Sequence, residues 1–293
     1  CNSYNIIDTT ATTVITLSSR VGTTIKNCNL SGNNAGTGIS LTSSSKNLID
    51  NVTIKNRNTA LYMAAGSNFN NITNSDFSNN NNTATNQGVI WLNCGSGVND
   101  VCKANNFTNL NLSNALTYAM YLSYADNMTL DHTNNFYNVT HGIALRTSHY
   151  NLLKNINLNG TGYGTGMNIY ASSYNILFNI SVRNRENPLH LQFGSNYNNI
   201  TDNDFSNANN TIENQGAVWF NCGVLATENC RYNNFTHNNM SNAPTYGLYL
   251  SYVDNLTVDG TNSFKNVSGG VAILQGSNNI IKNLDLNGSG TGT

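Results

Sequence analysis

Short stretches in which apolar and polar residues alternate recur along the whole chain and predict β-strands. Each stretch opens with an apolar residue, any residue and Asn, as in IKNCNL from Ile25 and IDNVTI from Ile49. The same motif starts again at Ile72, Phe107, Met128 (a weaker match), Leu153 and Leu177. From Ile25 to Leu153 the steps are 24, 23, 35, 21 and 25 residues, which suits one turn of a β-solenoid per step.

A second alternating strand lies in each step and predicts a pair of inward side chains. Asn, Thr and Gly at this density disfavour helix. The predicted inward pairs are Ile39/Leu41, Leu61/Met63, Ile90/Leu92, Met120/Leu122, Ile143/Leu145, Met167/Ile169, Leu189/Leu191, Val218/Phe220, Leu248/Leu250 and Val271/Ile273.

The chain also repeats itself at a longer period of 128 residues. GVIWLNCGSGVNDVC at 88–102 returns as GAVWFNCGVLATENC at 216–230, and 55 of the 99 residues paired between 67–165 and 195–293 are identical. We therefore predict one continuous solenoid with copies at 25–152 and 153–280, a partial copy at 281–293 and a divergent cap over about 1–24.

These strands predict an all-β fold, a right-handed parallel β-helix of about 11 coils of 21–35 residues. The coil length favours the right hand, because left-handed versions have tighter repeats. The coils resemble the repeats of the pectate-lyase-like superfamily, especially the NosD-type repeats of surface proteins, across essentially the whole chain. This resemblance implies the fold and leaves the function open, because that superfamily includes lyases, hydrolases, epimerases, adhesins and fibre proteins.

The Asn at the third place of the motif has a predicted structural role. Asn tolerates the left-handed backbone of a sharp turn, and stacked amides can bond to their neighbours in adjacent coils. The positions are Asn27, Asn51, Asn74, Asn109, Asn155, Asn179 and Asn283.

Charge and composition exclude several classes of partner. Only 9% of residues are charged and the net charge is −1, so no nucleic-acid partner is expected. The sequence contains no run of about 18 apolar residues, so no membrane span is predicted. The Asn-rich composition could indicate a disordered tract, but regularly spaced hydrophobic residues, 39% of the chain, favour a folded protein. The chain begins at Cys1, which we interpret as a mature or excised segment.

Six cysteines predict structural disulfides and an extracellular, cell-surface location. Cys94 and Cys102 recur as Cys222 and Cys230, so the simplest of fifteen pairings joins each of these pairs and joins Cys1 to Cys28. Metal binding is the alternative, but two Cys per copy with no repeated His make a poor ligand set. No metal or cofactor is predicted.

The residue between each inward pair points outwards and is repeatedly aromatic. Such a column suggests a protein interface or a sugar-binding surface. Alternatively, the disulfide loop folds over the tryptophans, and they form a small hydrophobic cluster separate from the main core (a satellite core). The residues are Tyr62, Trp91, Tyr121, His190, Trp219 and Tyr249.

Glycosylation sequons are abundant, although 61 Asn would produce many by chance. The candidate sites are Asn29, Asn51, Asn71, Asn81, Asn106, Asn111, Asn127, Asn138, Asn159, Asn179, Asn199, Asn209, Asn234, Asn239, Asn255, Asn266 and Asn287.

We predict a structural surface protein that self-associates end to end into a fibre or filament. A carbohydrate-binding adhesin or phage-type fibre is the first alternative, and a polysaccharide lyase, hydrolase or epimerase is the second. No catalytic residue is assigned and an enzyme is not expected, because acidic residues are few and the cluster at Asp76 differs from that at Asp204. The recurring pairs Asp126/Asp131 and Asp254/Asp259 are interpreted as solvated turn residues.

Overall fold

The computed structural model describes residues 5–97, 99–132, 135–160, 163–225 and 227–287. Every regular element in these ranges is a strand, and the strands pair in parallel. The predicted right-handed parallel β-helix of about 11 coils is confirmed. The chain divides into two compact units, Cys1–Leu152 (unit 1) and Leu153–Thr293 (unit 2).

Unit 1 contains two parallel sheets, A and B. Sheet A has the order β1-β3-β5-β7-β10-β13 and sheet B the order β2-β4-β6-β8-β11-β14, with a small β9-β12 pair beside them. The strands are β1 (Asn5–Ile7), β2 (Thr13–Ser18), β3 (Thr24–Ser31), β4 (Thr37–Thr42), β5 (Leu48–Lys55), β6 (Thr59–Ala64), β7 (Asn71–Asp76), β8 (Gly88–Asn93), β9 (Cys102–Lys103), β10 (Asn106–Asn111), β11 (Tyr118–Ser123), β12 (Ala125–Asp126), β13 (Thr129–Asp131) and β14 (His141–Arg146).

Unit 2 repeats this arrangement. Its sheet A strands follow the order β15-β17-β19-β22-β25-β28 and its sheet B strands the order β16-β18-β20-β23-β27, with β21-β24 and β26-β29 as small pairs. The strands are β15 (Leu152–Asn159), β16 (Thr165–Tyr170), β17 (Ile176–Arg183), β18 (Asn187–Gln192), β19 (Asn199–Thr201), β20 (Gly216–Asn221), β21 (Cys230–Arg231), β22 (Asn234–Thr236), β23 (Tyr246–Ser251), β24 (Val253–Asp254), β25 (Thr257–Asp259), β26 (Asn262–Ser263), β27 (Gly269–Gln275), β28 (Ile280–Ile281) and β29 (Leu284–Asp285).

The alternation of apolar and polar residues along each strand determines which side chains the sheet buries. Nine of the ten predicted inward pairs have almost no solvent exposure. The exception is Val271/Ile273, where Ile273 is 49% exposed. These two residues lie on β27, which has a neighbour on only one side among the described strands of sheet B.

Asparagines make the turns, as predicted. Asn27 and Asn51 have φ values of 52° and 53°, in the left-handed region that Asn tolerates best after Gly. The Asn51 amide donates to the Asn27 side-chain oxygen at 2.8 Å, and the Asn179 amide bonds in the same way to Asn155. A second, buried column was not predicted. In it, the Asn70 amide nitrogen donates to the Asn105 side-chain oxygen and to the Ser44 backbone oxygen, and thereby satisfies turn groups that water cannot reach.

Disulfides Cys94–Cys102 and Cys222–Cys230 are present. Cys28 is also disulfide-bonded, and its predicted partner Cys1 lies outside the described residues. In the segment predicted to be a cap, β1 and β2 pair with β3 and β4 and extend both sheets.

Candidate functional site

The outward column of sheet B brings large side chains together in unit 1. Tyr62, Trp91 and Tyr121 are register partners on the neighbouring strands β6, β8 and β11. The Tyr62 and Trp91 ring centroids lie 4.9 Å apart at 60°, an edge-on contact that leaves both rings half-buried. Tyr121 is only 6% exposed, so the column is less open than the sequence alone suggests.

A cleft of about 530 Å³ opens beside Trp91 and is called cleft 1. This volume falls within the range of small-ligand sites, and most of its polar groups are amides and hydroxyls. Cleft 1 is lined by Ala84, Thr85, Asn86, Gln87, Trp91, Asn93, Tyr121, Ser123 and Arg146.

Short-range hydrogen bonds hold the loop on one side of cleft 1. The Asn82 side-chain oxygen accepts from the Ala84 amide at 2.9 Å, and the Asn82 side-chain nitrogen donates to the Gly88 backbone oxygen at 3.1 Å. The amide of Gln87 bonds back to the oxygen of Ala84. Such a loop is held in place before any ligand arrives.

One residue that lines cleft 1 is a cation, Arg146. The Arg146 guanidinium hydrogen-bonds to the Tyr121 phenol. Burial raises the pKa of Tyr121, and the Arg146 charge and hydrogen bond offset only part of this effect. Tyr121 is therefore a neutral phenol at ordinary pH, next to a permanent positive charge.

Unit 2 contains a matching cleft of about 300 Å³, called cleft 2. Five of its lining residues are identical to residues that line cleft 1 at an offset of 128, and the sixth, Leu274, takes the place of Arg146. Cleft 2 is lined by Asn214, Trp219, Asn221, Tyr249, Ser251 and Leu274.

His190 supports Trp219 from the neighbouring strand. The two rings are nearly parallel at 4° with centroids 4.1 Å apart. The Gln192 side-chain nitrogen lies 3.1 Å from His190 Nδ1, so Nδ1 accepts and the proton of the neutral ring is on Nε2, which has no hydrogen-bond partner among the described residues. Burial lowers the pKa of His190 to about 3, and the imidazole is uncharged at neutral pH.

The disulfide loops do not line either cleft. In unit 1 the loop closed by Cys94 and Cys102 bonds to the turn after β6, where the Gly66 amide donates to the Asp100 oxygen at 2.9 Å. The close approach of the Asn99 oxygen to Gly66 leaves no room for a side chain there. The loop that lies beside Trp91 in cleft 1 is formed by residues 84–87. The predicted cover of Trp91 by the disulfide loop is therefore not what the cleft lining shows.

Acidic side chains lie elsewhere, mostly in pairs between neighbouring turns. Lys55 and Asp76 are 2.9 Å apart, and Arg183 and Asp204 form the matching pair in unit 2. Burial raises the pKa of Asp76, but hydrogen bonds from Lys55 and Ser78 outweigh this and hold it below its usual value. Among the described residues, no carboxylate lines either cleft, and no group of three or more His, Cys, Asp or Glu is placed to hold a metal ion.

The candidate glycosylation sites remain predictions. Eight of the 17 asparagines are exposed, and the side chain of Asn159 lies outside the described residues. End-to-end assembly likewise remains a prediction. In the part of the chain that the structure describes, no helix is long and apolar enough to cross a membrane.

A second aromatic row was missed by the sequence analysis. Tyr174, Tyr197 and Tyr232 occupy left-handed turn positions in unit 2, and their rings stack at 4.8 and 4.9 Å. The signal was present in the sequence, because these residues occupy one turn position in successive coils. Each ring has at least one face covered by a neighbour, and the three side chains remain 44%, 45% and 50% exposed.

The sequence matches no family model, and no curated protein sequence is significantly similar to it. Similar solved structures include the A-module of the Azotobacter vinelandii mannuronan C-5 epimerase AlgE6, with 12% identity, a TM-score of 0.44, and coverage of 93% of this chain and 90% of that chain. The alginate lyase from Paenibacillus sp. str. FPU-7 has 12% identity, a TM-score of 0.38, and coverage of 93% and 99%. The AlgE4 A-module has 12% identity, a TM-score of 0.41, and coverage of 95% and 90%.

The prediction that this chain is not an enzyme is contradicted by these structures, which are those of epimerases and a lyase. The scarcity of acidic residues does not exclude an enzyme, because the need for two flanking carboxylates applies to glycoside hydrolysis alone. At this identity the likeness concerns the fold and does not transfer a substrate. The parallel strand order described above confirms the β-helix fold that the resemblance implied.

Proposed function

We propose that this protein is an extracellular β-helix that binds polysaccharide through clefts 1 and 2 on the outer face of sheet B. The observation that carries the proposal is the duplicated set of Trp, Tyr, two Asn and Ser lining both clefts. Aromatic faces pack against the C–H bonds of a sugar ring, while amides and hydroxyls bond to its hydroxyl groups. Disulfides fit an extracellular location.

The aromatic walls of each cleft are held in place before a sugar binds. Trp91 is held by Tyr62, and the Tyr62 hydroxyl is bonded in turn by the Asn93 amide at 3.4 Å. Trp219 is held against His190. Fixing the aromatic rings before binding lowers the entropy cost of association.

A uronate-directed lyase or epimerase is a second candidate, which the Tyr121–Arg146 pair in cleft 1 favours. A guanidinium can neutralise the carboxylate of a uronate, which makes the proton on the adjacent ring carbon easier to remove. In elimination, a solvent base takes up that proton, the bond to the glycosidic oxygen breaks as a carbon–carbon double bond forms, and the neutral Tyr121 phenol protonates the leaving oxygen. Ultraviolet absorbance of the unsaturated product measures this reaction, and Tyr121→Phe should abolish it.

The binding proposal is tested by replacing the two tryptophans. Trp91→Ala and Trp219→Ala should each weaken binding to a polysaccharide panel, measured by affinity electrophoresis, and the double variant should lose about tenfold or more. Trp→Phe at the same positions should retain most of the binding, because a ring remains.

Thermal unfolding of the same variants separates binding from structure. If the tryptophans form only a satellite core, the alanine variants will lower the melting temperature while the wild-type protein shows no glycan binding that depends on either tryptophan. That result would overturn the proposal.

A further inference from the structure

The two clefts share their aromatic and amide residues but differ at the rim. Arg146 in cleft 1 corresponds to Leu274, which is 62% exposed. Ala84 corresponds to Ile212, which is 47% exposed. Thus a large aliphatic side chain lines cleft 2 at Leu274, and a second one, Ile212, lies two residues before the lining residue Asn214, where unit 1 has neither.

The backbone also differs beside Leu274. In unit 1 Ser123 pairs with Arg146 in regular register. In unit 2 the register shifts, so that Ser251 pairs with Gln275 and Leu274 is the extra residue of a β-bulge. Bulges re-aim side chains next to binding sites, and here the bulged residue lines the cleft with Trp219.

The loop on the other side of cleft 2 is anchored in the same way as its counterpart. The Ile212 amide donates to the Asn210 side-chain oxygen at 2.8 Å, and the Gln215 oxygen accepts from the Thr245 hydroxyl at 3.0 Å. These hydrogen bonds hold the loop backbone in the conformation that exposes Ile212. The same loop supplies Asn214 to cleft 2.

The charge in and near the cleft also differs between the two units. The cation of cleft 1 is absent from the lining of cleft 2, and Thr85 of the cleft 1 loop corresponds to Glu213, next to Asn214. A carboxylate ligand gains from Arg146 in cleft 1 and is repelled by Glu213 near cleft 2. An apolar substituent, by contrast, can remove the exposed Leu274 side chain from water.

We infer that cleft 2 selects neutral glycosyl residues that carry an apolar substituent, the 6-deoxyhexose class, and that Leu274 determines this preference. The inference rests on the proposed glycan-binding function. Cleft 1, with Arg146 in place of Leu274, does not share the preference.

The test uses the fact that the chain has two tryptophans, one in each cleft. In Trp91→Ala the fluorescence of Trp219 reports cleft 2 alone, and in Trp219→Ala the fluorescence of Trp91 reports cleft 1. The probes are methyl glycosides that differ only at C6 (methyl, hydroxymethyl or carboxylate), each in the galacto, manno and gluco configurations. Saturation-transfer NMR supplies an independent measure of binding.

Cleft 2 should bind at least one 6-deoxyhexoside about fourfold more tightly than the matching hexoside, and the uronoside more weakly still. Leu274→Arg in the Trp91→Ala background should remove the preference for the methyl group and improve binding of the uronoside. Val224→Ser is the matched control, because Val224 is exposed at 68% on the disulfide loop and lines neither cleft.

The failures are distinguishable. If no glycoside and no polysaccharide binds in a tryptophan-dependent way, the proposed function itself is wrong. If glycosides bind to cleft 2 but the C6 group has no effect, or Leu274→Arg leaves the preference unchanged, glycan binding stands and the inference about Leu274 is overturned.

Discussion

The interiors of the two units are both apolar, although individual side chains differ, as at Leu92 and Phe220, whereas particular outward positions have changed in charge or polarity. Phe107 in unit 1 and Phe235 in unit 2 occupy the same inward position and both are fully buried. On the outer face, Tyr62 is matched by His190, and Arg146 by Leu274. The interior of a coil excludes unpaired polar groups and therefore accepts only exchanges among apolar side chains, whereas an outward side chain can change its charge without that cost. The units therefore share a scaffold and differ in surface chemistry.

The largest effects should come from the shared interior. Phe107→Ala and Phe235→Ala should each lower the free energy of unfolding by about 3–5 kcal/mol, because each leaves a cavity in a closed coil. Denaturant unfolding followed by the fluorescence of Trp91 or Trp219, with the other tryptophan replaced by Phe, measures each unit. A cost at Phe235 well below that at Phe107 would show that unit 2 packs more loosely than the structure indicates.

A second effect concerns the pH dependence of stability, which should differ between the units because unit 2 has His190 where unit 1 has Tyr62. The pKa of His190 is about 3 in the folded chain, whereas in the unfolded chain it takes its ordinary value of 6.5. Between pH 3 and 6.5 the unfolded chain therefore binds more protons than the folded chain. Unit 2 should therefore lose stability as pH falls through this window, by at most about 1.4 kcal/mol per pH unit. Above pH 6.5 the contribution of His190 should be constant.

His190→Tyr introduces the residue that unit 1 has at Tyr62 and should flatten this pH dependence between pH 6.5 and 4. Carboxylates such as Asp76 have pKa values below their usual range and act at lower pH, so they do not mask the effect. An unchanged slope in the His190→Tyr variant would contradict the buried, neutral state of the imidazole.

The smallest effect is expected at the turns. Tyr197 stacks on Tyr174 and Tyr232, whereas its counterpart Phe69 has Lys46 and Ala104 at the corresponding turn positions. Replacement by Asn relieves the cost of a left-handed backbone at both sites, but only Tyr197→Asn loses ring stacking. Tyr197→Asn should therefore be less stable than Phe69→Asn by about 1 kcal/mol in denaturant unfolding. Equal values would mean that the stack adds no stability.

The sequence by itself determined the architecture. Period-two alternation chose strand over helix, and the recurrence of Asn at left-handed turns fixed where each coil bends, because few other residues tolerate that backbone. The 128-residue offset identified the equivalent positions in the two units, including Trp91 and Trp219.

Tertiary structure decided what the outward residues do. The burial of His190, the segment that lines each cleft, the stacked Tyr174 row and the bulge that aims Leu274 all depend on which turns lie next to one another and on how the loops return. These are contacts between residues distant in sequence, and a local pattern records only that a side chain points outwards. It does not record which loop covers that side chain or which ring lies against it, because those depend on the register between coils.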